Sequence, residues 1–182
     1  VPSVGQKHKI SLKNSQGDKM IIEYATTKFG VKPPTRSNPS DAGLDIYAFL
    51  DETIQIKPGH NTMIPTGLKF GIPHGYMLQV CNRSSMGAKR SLVVGAHVVD
   101  SGYNGEVFID LHNIGNKTQS INCGDKIAQL VLVPVVHFRA RKTNGTSLYG
   151  GQNLTISERG DGALGSTDTI SNPLNGQHGG GF

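Results

Sequence analysis

Five short polar segments of this 182-residue chain hold side chains able to do chemistry. In order they are Asp45 in Ala42-Gly43-Leu44-Asp45; Arg83-Ser84-Ser85; Asp100 in Asp100-Ser101-Gly102-Tyr103; Gly124-Asp125-Lys126, with Gln129 just beyond; and Arg159-Gly160-Asp161-Gly162. Each alone has an ordinary reading as a turn, a helix entry capped by Ser, a solvated hairpin residue or a linker. Together they suit a triphosphate. That ligand needs Arg donors in a fork geometry, hydroxyl or backbone N–H donors, and a hard cation with oxygen ligands. Arg83, Ser84 and Ser85 offer donors near a predicted helix N-terminus, which favours phosphate. Asp45 is suited to hold a hydrated Mg2+ through water, and Asp100 to act as a general base. Glycines around Arg159 would let that segment fold closely over phosphates.

The elements that must position these groups read as short strands. Lys19 to Thr26 is one, and a Pro-rich loop from Val31 to Ser40 then delivers the chain to Asp41–Ala48. Thr53 to Ile56 alternates and stops at Lys57-Pro58-Gly59. His60 to Phe70 is another segment, with Pro65 and Gly67 inside it, and Tyr76 to Cys81 follows the turn Pro73-His74-Gly75. Ser85 to Ser91 is the one helix-like stretch. Val98 to Val107 reads as a hairpin turning at Asn104-Gly105, and Val107 to Asn113 alternates. Ile127 to Val136 is too continuously apolar for a half-exposed strand, so it should be central. Short strands between turns predict an all-β sandwich or barrel. Residues 1–18 read as an N-terminal extension without clear periodicity and residues 19–168 as the domain. Within the domain, a long loop is expected at about 139–152 and a Gly-rich arm at about 158–168. Residues 169–182 read as a mobile tail.

Bulk properties set limits. The length suits one domain, and 24 glycines favour strands and tight turns over long helices. The net charge of +5 and pI near 9.3 are compatible with an anionic ligand. Lys and Arg are scattered, with no basic helix and interleaved aromatics, which argues against nucleic acid. Cys81 and Cys123 lack zinc-ligand spacing and are expected as buried, reduced thiols. The N-terminus has no apolar signal-like region, and Ile127–Val136 is too short to span a bilayer. These features lead to the expectation of a soluble cytoplasmic protein.

The order of the segments resembles the trimeric dUTPases, whose five motifs fit Asp41–Asp45, Arg83–Gly87, Gly95–Val107, Gly124–Leu130 and Arg159–Thr167. The resemblance implies a jelly-roll-like β-barrel subunit with a flexible Gly-rich C-terminal arm, a homotrimer with shared sites, Mg2+, and hydrolysis of dUTP to dUMP and pyrophosphate. It implies that Asp100 activates the attacking water and that Tyr103 packs under the deoxyribose. The backbone of Gly95, Ala96, His97, Val98 and Val99 would read uracil. Arg83, Ser84, Ser85 and Gln129 would hold phosphates, while Asp45 and Gln129 order the Mg2+ waters. Arg159 with Leu164, Gly165 and Ser166 would close the site. The chain departs from the family with Leu164 in place of a stacking Phe, Ala163 and Asp168 in place of Gly, and His97 in place of a Gly. A dCTP deaminase, alone or bifunctional, is the alternative on the same fold. Ala96-His97 and Tyr149-Gly150-Gly151-Gln152 look deaminase-like, but Asp110 stands where deaminases carry Glu, and Ala88 where they carry Arg. The long loop and tails would also suit a nucleotide-dependent regulatory role with a protein partner.

Overall fold

Alternating apolar and polar residues become antiparallel strands along most of the chain. The computed structural model describes the backbone of residues 8–13, 19–145 and 148, and the side chains of residues 20–145 and 148. The strands in chain order are β1 (His8–Lys13), β2 (Lys19–Thr26), β3 (Leu44–Tyr47), β4 (Ile54–Ile56), β5 (Asn61–Pro65), β6 (Leu68–Gly71) and β7 (Tyr76–Cys81). After the helix α1 (Ser84–Arg90) come β8 (Leu92–Val94), β9 (Val98–Val99), β10 (Phe108–Asn113), β11 (Gln119–Ile121) and β12 (Lys126–Pro134). They form sheets ordered β3-β12-β7-β9, β5-β10-β8 and β1-β2-β6, with β11 and β4 as a separate pair. The fold is all-β, as expected.

The buried faces of these ladders feed one core, in which Ile46, Ile64, Leu68, Ile109, Leu111 and Ile127 have no exposed surface. Each such side chain contributes about 1.5–3 kcal/mol on burial. Along β10 the inward set is Ile109, Leu111 and Asn113. The buried Asn113 is satisfied: its amide donates to Ile56 O and Lys117 O, both at 2.8 Å, and its oxygen accepts Gly115 N at 3.0 Å. β12 is central, with β3 on one side and β7 on the other.

Three expectations about the strands need correction. The segment His60–Phe70 is two strands in different sheets, with β5 on β10 and β6 on β2. The chain turns between them at Gly67, where φ is +69° and a Cβ would lie 2.3 Å from Val31 Cγ2. Val98–Val107 is not a closed hairpin: β9 bonds to β7 and β10 to β5 and β8, so the two arms are splayed. The N-terminal stretch contains β1, paired antiparallel with β2 from His8↔Tyr24 to Lys13↔Lys19. Ile10 and Leu12 alternating with Lys9, Ser11 and Lys13 are the signal for it.

The thiols of Cys81 and Cys123 are free, but Cys81 is only half-buried and Cys123, in the turn before β12, is exposed. Among the described residues no helix is long and apolar enough to cross a membrane. The chain divides into a unit ending at His137 and a second unit from Phe138 onward. The described residues of the second unit form no helix or strand, and Thr143 Oγ1 donates to Gly145 O at 3.2 Å.

Candidate active site

A bulge in β12 sets up the first half of the site. The register shifts between Lys126 and Ala128, so Ile127 and Ala128 are both buried although they are adjacent. Bulges re-aim side chains in this way. Beyond it, Gln129 falls opposite Asp45 of β3 on one side and Cys81 of β7 on the other. Gln129 Nε2 donates to Asn82 O at 2.9 Å, and its Oε1 lies where a Cβ on Gly43 would come within 2.8 Å. Gly43 is needed for that close approach.

Asp45 is the hub of this half. Arg83 Nε donates to its Oδ1 at 2.8 Å and Lys126 Nζ to its Oδ2 at 2.7 Å. Burial works to raise the Asp45 carboxyl, but the bonds and charges of Lys126 and Arg83 outweigh it and hold the group below the ordinary carboxylate value. The Asp45 carboxylate raises Lys126 in turn. Arg83 Nη1 also donates to Ser85 Oγ at 3.4 Å and to Lys126 O at 3.3 Å. Arg83 is the N-cap residue of α1 but makes no side-chain cap, and no acidic residue lies in the first turn. Ser84 is exposed there and Ser85 half-buried. Two cations around one carboxylate leave an excess of positive charge beside hydroxyl donors. That suits a polyphosphate. Lys126 is the member whose role was not legible from sequence.

The second half lies in the splayed arms. A cavity of about 210 Å³ is lined by Val98, Val99, Asp100 and Tyr103 on one side and by Met63 and Phe108 on the other. Tyr103 N donates to Asp100 O at 3.2 Å, and Tyr103 Oη to Glu106 O at 2.9 Å. Glu106 Oε1 accepts Gly67 N at 2.7 Å, which ties this loop to the β5–β6 turn. Asp100 is exposed, and its carboxylate takes no hydrogen bond among the described residues. Gly95 to Val98 are exposed. The His97 ring turns back onto β7, with Nδ1 donating to Val80 O at 2.8 Å, while Val80 N donates to His97 O at 2.8 Å. That pair of bonds fixes the segment in place.

The fold brings Asp45, Arg83, Ser85 and Gln129 together, and separately Asp100, Tyr103, Val98 and Val99. It does not join the two sets. β9 runs antiparallel to β7 with Val99 opposite Leu78, so Asp100 continues towards Met77, while Gln129 lies opposite Cys81. Four residues of strand are roughly 13 Å, and Asp45 lies three strand spacings away from β9, roughly 14 Å. Arg159, Leu164, Gly165 and Ser166 lie outside the described residues.

A family model for dUTPases matches residues 30–167. A deoxyuridine 5'-triphosphate nucleotidohydrolase of Anaplasma marginale is 33% identical over 153 residues, covering 83% of this chain and 99% of that protein. One from Desulfotalea psychrophila is 40% identical over 136 residues, covering 74% and 85%. Among solved structures, a mutant dUTPase from phage phi11 of S. aureus, described with a structural Mg(II) ion, superposes with a TM-score of 0.63 at 25% identity, covering 70% of this chain and 99% of that one. A mutant dUTPase of Staphylococcus bacteriophage 80alpha with dUpNHpp gives a TM-score of 0.69 at 24% identity, covering 80% and 97%.

Proposed function

The chain belongs to the dUTPase family and hydrolyses dUTP to dUMP and pyrophosphate, and on that premise we propose which of its residues act and in what assembly. Asp100 takes a proton from water as the water oxygen bonds to the α-phosphorus. The bond from that phosphorus to the bridging oxygen breaks, and pyrophosphate leaves. Tyr103 packs under the deoxyribose, and the backbone of residues 95–99 reads uracil. Arg83, Ser84, Ser85 and Gln129 hold the phosphates. Arg159 closes over them with Gly165 and Ser166, and Leu164 covers the base.

The observation that carries the assembly is the separation of Asp100 from the Arg83–Asp45 cradle. A general base must reach its substrate directly or through one water. Strand spacings place the two halves of one chain too far apart for that. A homotrimer with shared sites supplies the missing half from another copy.

Mg2+ fits as an ion held by water and phosphate. Among the described residues no group of three His, Cys, Asp or Glu side chains is placed to bind a metal directly. Both oxygens of Asp45 already accept cationic donors. Mg2+ dehydrates reluctantly and usually keeps several waters, so Asp45 and Gln129 would order those waters. The bound ion would neutralise charge on the departing pyrophosphate. The two free thiols suit a reducing compartment such as the cytoplasm.

Pyrophosphate and ammonia release, measured across the deoxynucleoside triphosphates, tests this reading. Wild-type protein should release pyrophosphate from dUTP without ammonia. Asp100→Asn should lower turnover by about 10²–10⁴-fold while still binding dUTP. Near-normal turnover in that variant would remove Asp100 from its role.

A further inference from the structure

The reaction above leaves one side-chain cluster on β10 unused. Asp110 accepts Asn61 Nδ2 on Oδ1 and His112 Nε2 on Oδ2, both at 2.9 Å. Burial works to raise this carboxyl, but the bonds from Asn61 and His112, together with the His112 charge, prevail and hold it below the ordinary value. It is therefore a carboxylate at neutral pH, and its side chain is 16% exposed.

Its position relates it to the nucleoside cavity. Phe108, Asp110 and His112 share the outward face of β10. Phe108 lines the cavity, and so does Met63, the cross-strand partner of Asp110. Asp110 is the next same-face residue after Phe108, roughly 7 Å further along the strand. The backbone arms close at the same point, where Gly95 N donates to Asp110 O at 2.9 Å. A Cβ on Gly95 would fall 2.4 Å from Asp110 Oδ2 and 2.3 Å from His112 Nε2. Asp110 and His112 thus press against Gly95, which begins the segment that leads through Val98 and Val99 into the cavity lining. A nucleoside with its sugar and α-phosphate at Tyr103 and Asp100 would direct its base edge towards them.

We propose that Asp110, with Asn61 and His112 as its donors, is a specificity-determining group that sets which pyrimidine the cavity accepts, an inference that rests on the Asp100–Tyr103 cavity being the nucleoside site. At its 4-position uracil presents an acceptor oxygen and cytosine a donor amino group. A carboxylate is acceptor-only, so bare Asp110 would attract cytosine and repel uracil O4. Asn61 and His112 each place a donor on one of its oxygens. They take about two of its four acceptor sites, hold the carboxyl group in one orientation and so weaken its pull on a donor at the 4-position. Removing either donor exposes an acceptor to cytosine.

The experiment uses the full chain and compares the inhibition constant of dCTP with the KM for dUTP. The variants are His112→Ala, Asn61→Ala, Asp110→Asn and the double variant Asp110→Asn/His112→Ala, each checked by thermal melting. The ratio of dCTP inhibition constant to dUTP KM should fall about tenfold in His112→Ala, a size in keeping with one gained hydrogen bond. Asp110→Asn in the double variant should cancel that fall. Asn61→Ala should reproduce the fall, and it carries the test if His112→Ala does not fold. A merely structural role would move both constants together, and that result, or an unmoved ratio, overturns the proposal. Tyr103→Ala separates the two levels. If it shifts the preference for dUTP over UTP while the dCTP ratio stays fixed in the other variants, only the Asp110 assignment fails. If it shifts nothing, the cavity is not the nucleoside site and both fail.

Discussion

Gln129 stands directly opposite Asp45 across the β3–β12 ladder, and its side-chain oxygen occupies the space a Cβ on Gly43 would need. Gly43, the Gln129 amide and the Asp45 carboxylate are therefore one packed unit. Gly43→Ala should push the Gln129 side chain off its bond to Asn82 O. The account predicts a dUTPase turnover lowered about 10- to 100-fold, with a stability loss of about 1–2 kcal/mol, as overpacking by one methyl typically gives. Steady-state kinetics beside urea denaturation would measure both. Unchanged kinetics would mean that Gln129 does not touch the substrate.

Asp45 should make stability depend on pH in a defined window. Its carboxyl lies below the ordinary value in the folded chain. Its contribution is therefore complete above the unfolded value, near pH 4, and is lost as pH falls through the lower folded value. Asp45→Asn should cost about 1–2 kcal/mol at neutral pH, through the weakened bonds from Arg83 and Lys126. The gap between wild type and variant should close below roughly pH 4. Denaturant titrations from pH 3 to 7 measure it, and a gap that stays constant with pH would contradict the ion-pair account.

Tyr103 is held by its own hydroxyl on Glu106 O, with its ring half-exposed at the cavity. Tyr103→Ala should loosen rejection of UTP more than it harms turnover at saturating dUTP. The quantity to follow is the kcat/KM ratio of dUTP to UTP. A ratio equal to that of the wild type would place sugar discrimination elsewhere.

Much of the fold was legible because local alternation decided it. β2 and β7 have the bounds read from their apolar pattern, and the continuous apolar run Ile127–Val136 marked the central strand. Non-local partner choice could not be read. Val98–Val99 looks like one arm of a hairpin because Asn104-Gly105 is a turn pair, yet β7 offers a competing edge that only the assembled sheet reveals. Pro65 and Gly67 interrupt the His60–Phe70 segment locally, but nothing near them says that the chain passes there from one sheet to another. In the site, the motif residues were named, but Lys126 on Asp45 and the Asn61–Asp110–His112 cluster depend on cross-strand register. The Lys126–Asp45 and Asn61–Asp110 pairings join residues dozens of positions apart and leave no local signal, and only the Asp110–His112 bond, two positions along one strand, is local.

In the proposed assembly one copy supplies Asp100 and another the Arg83 cradle. Its most direct test mixes two variants, Asp100→Asn and Arg83→Ala, each expected to be nearly inactive alone. The chains are dissociated and reassembled together at equal amounts, and subunit exchange is verified by native mass spectrometry. If each site draws Asp100 and Arg83 from different copies of a closed symmetric assembly, random mixing leaves about a quarter of the sites with both residues intact. The account predicts that dUTP hydrolysis returns to about a quarter of the wild-type rate in the mixture. A verified mixed assembly that stays as inactive as its parents would contradict it.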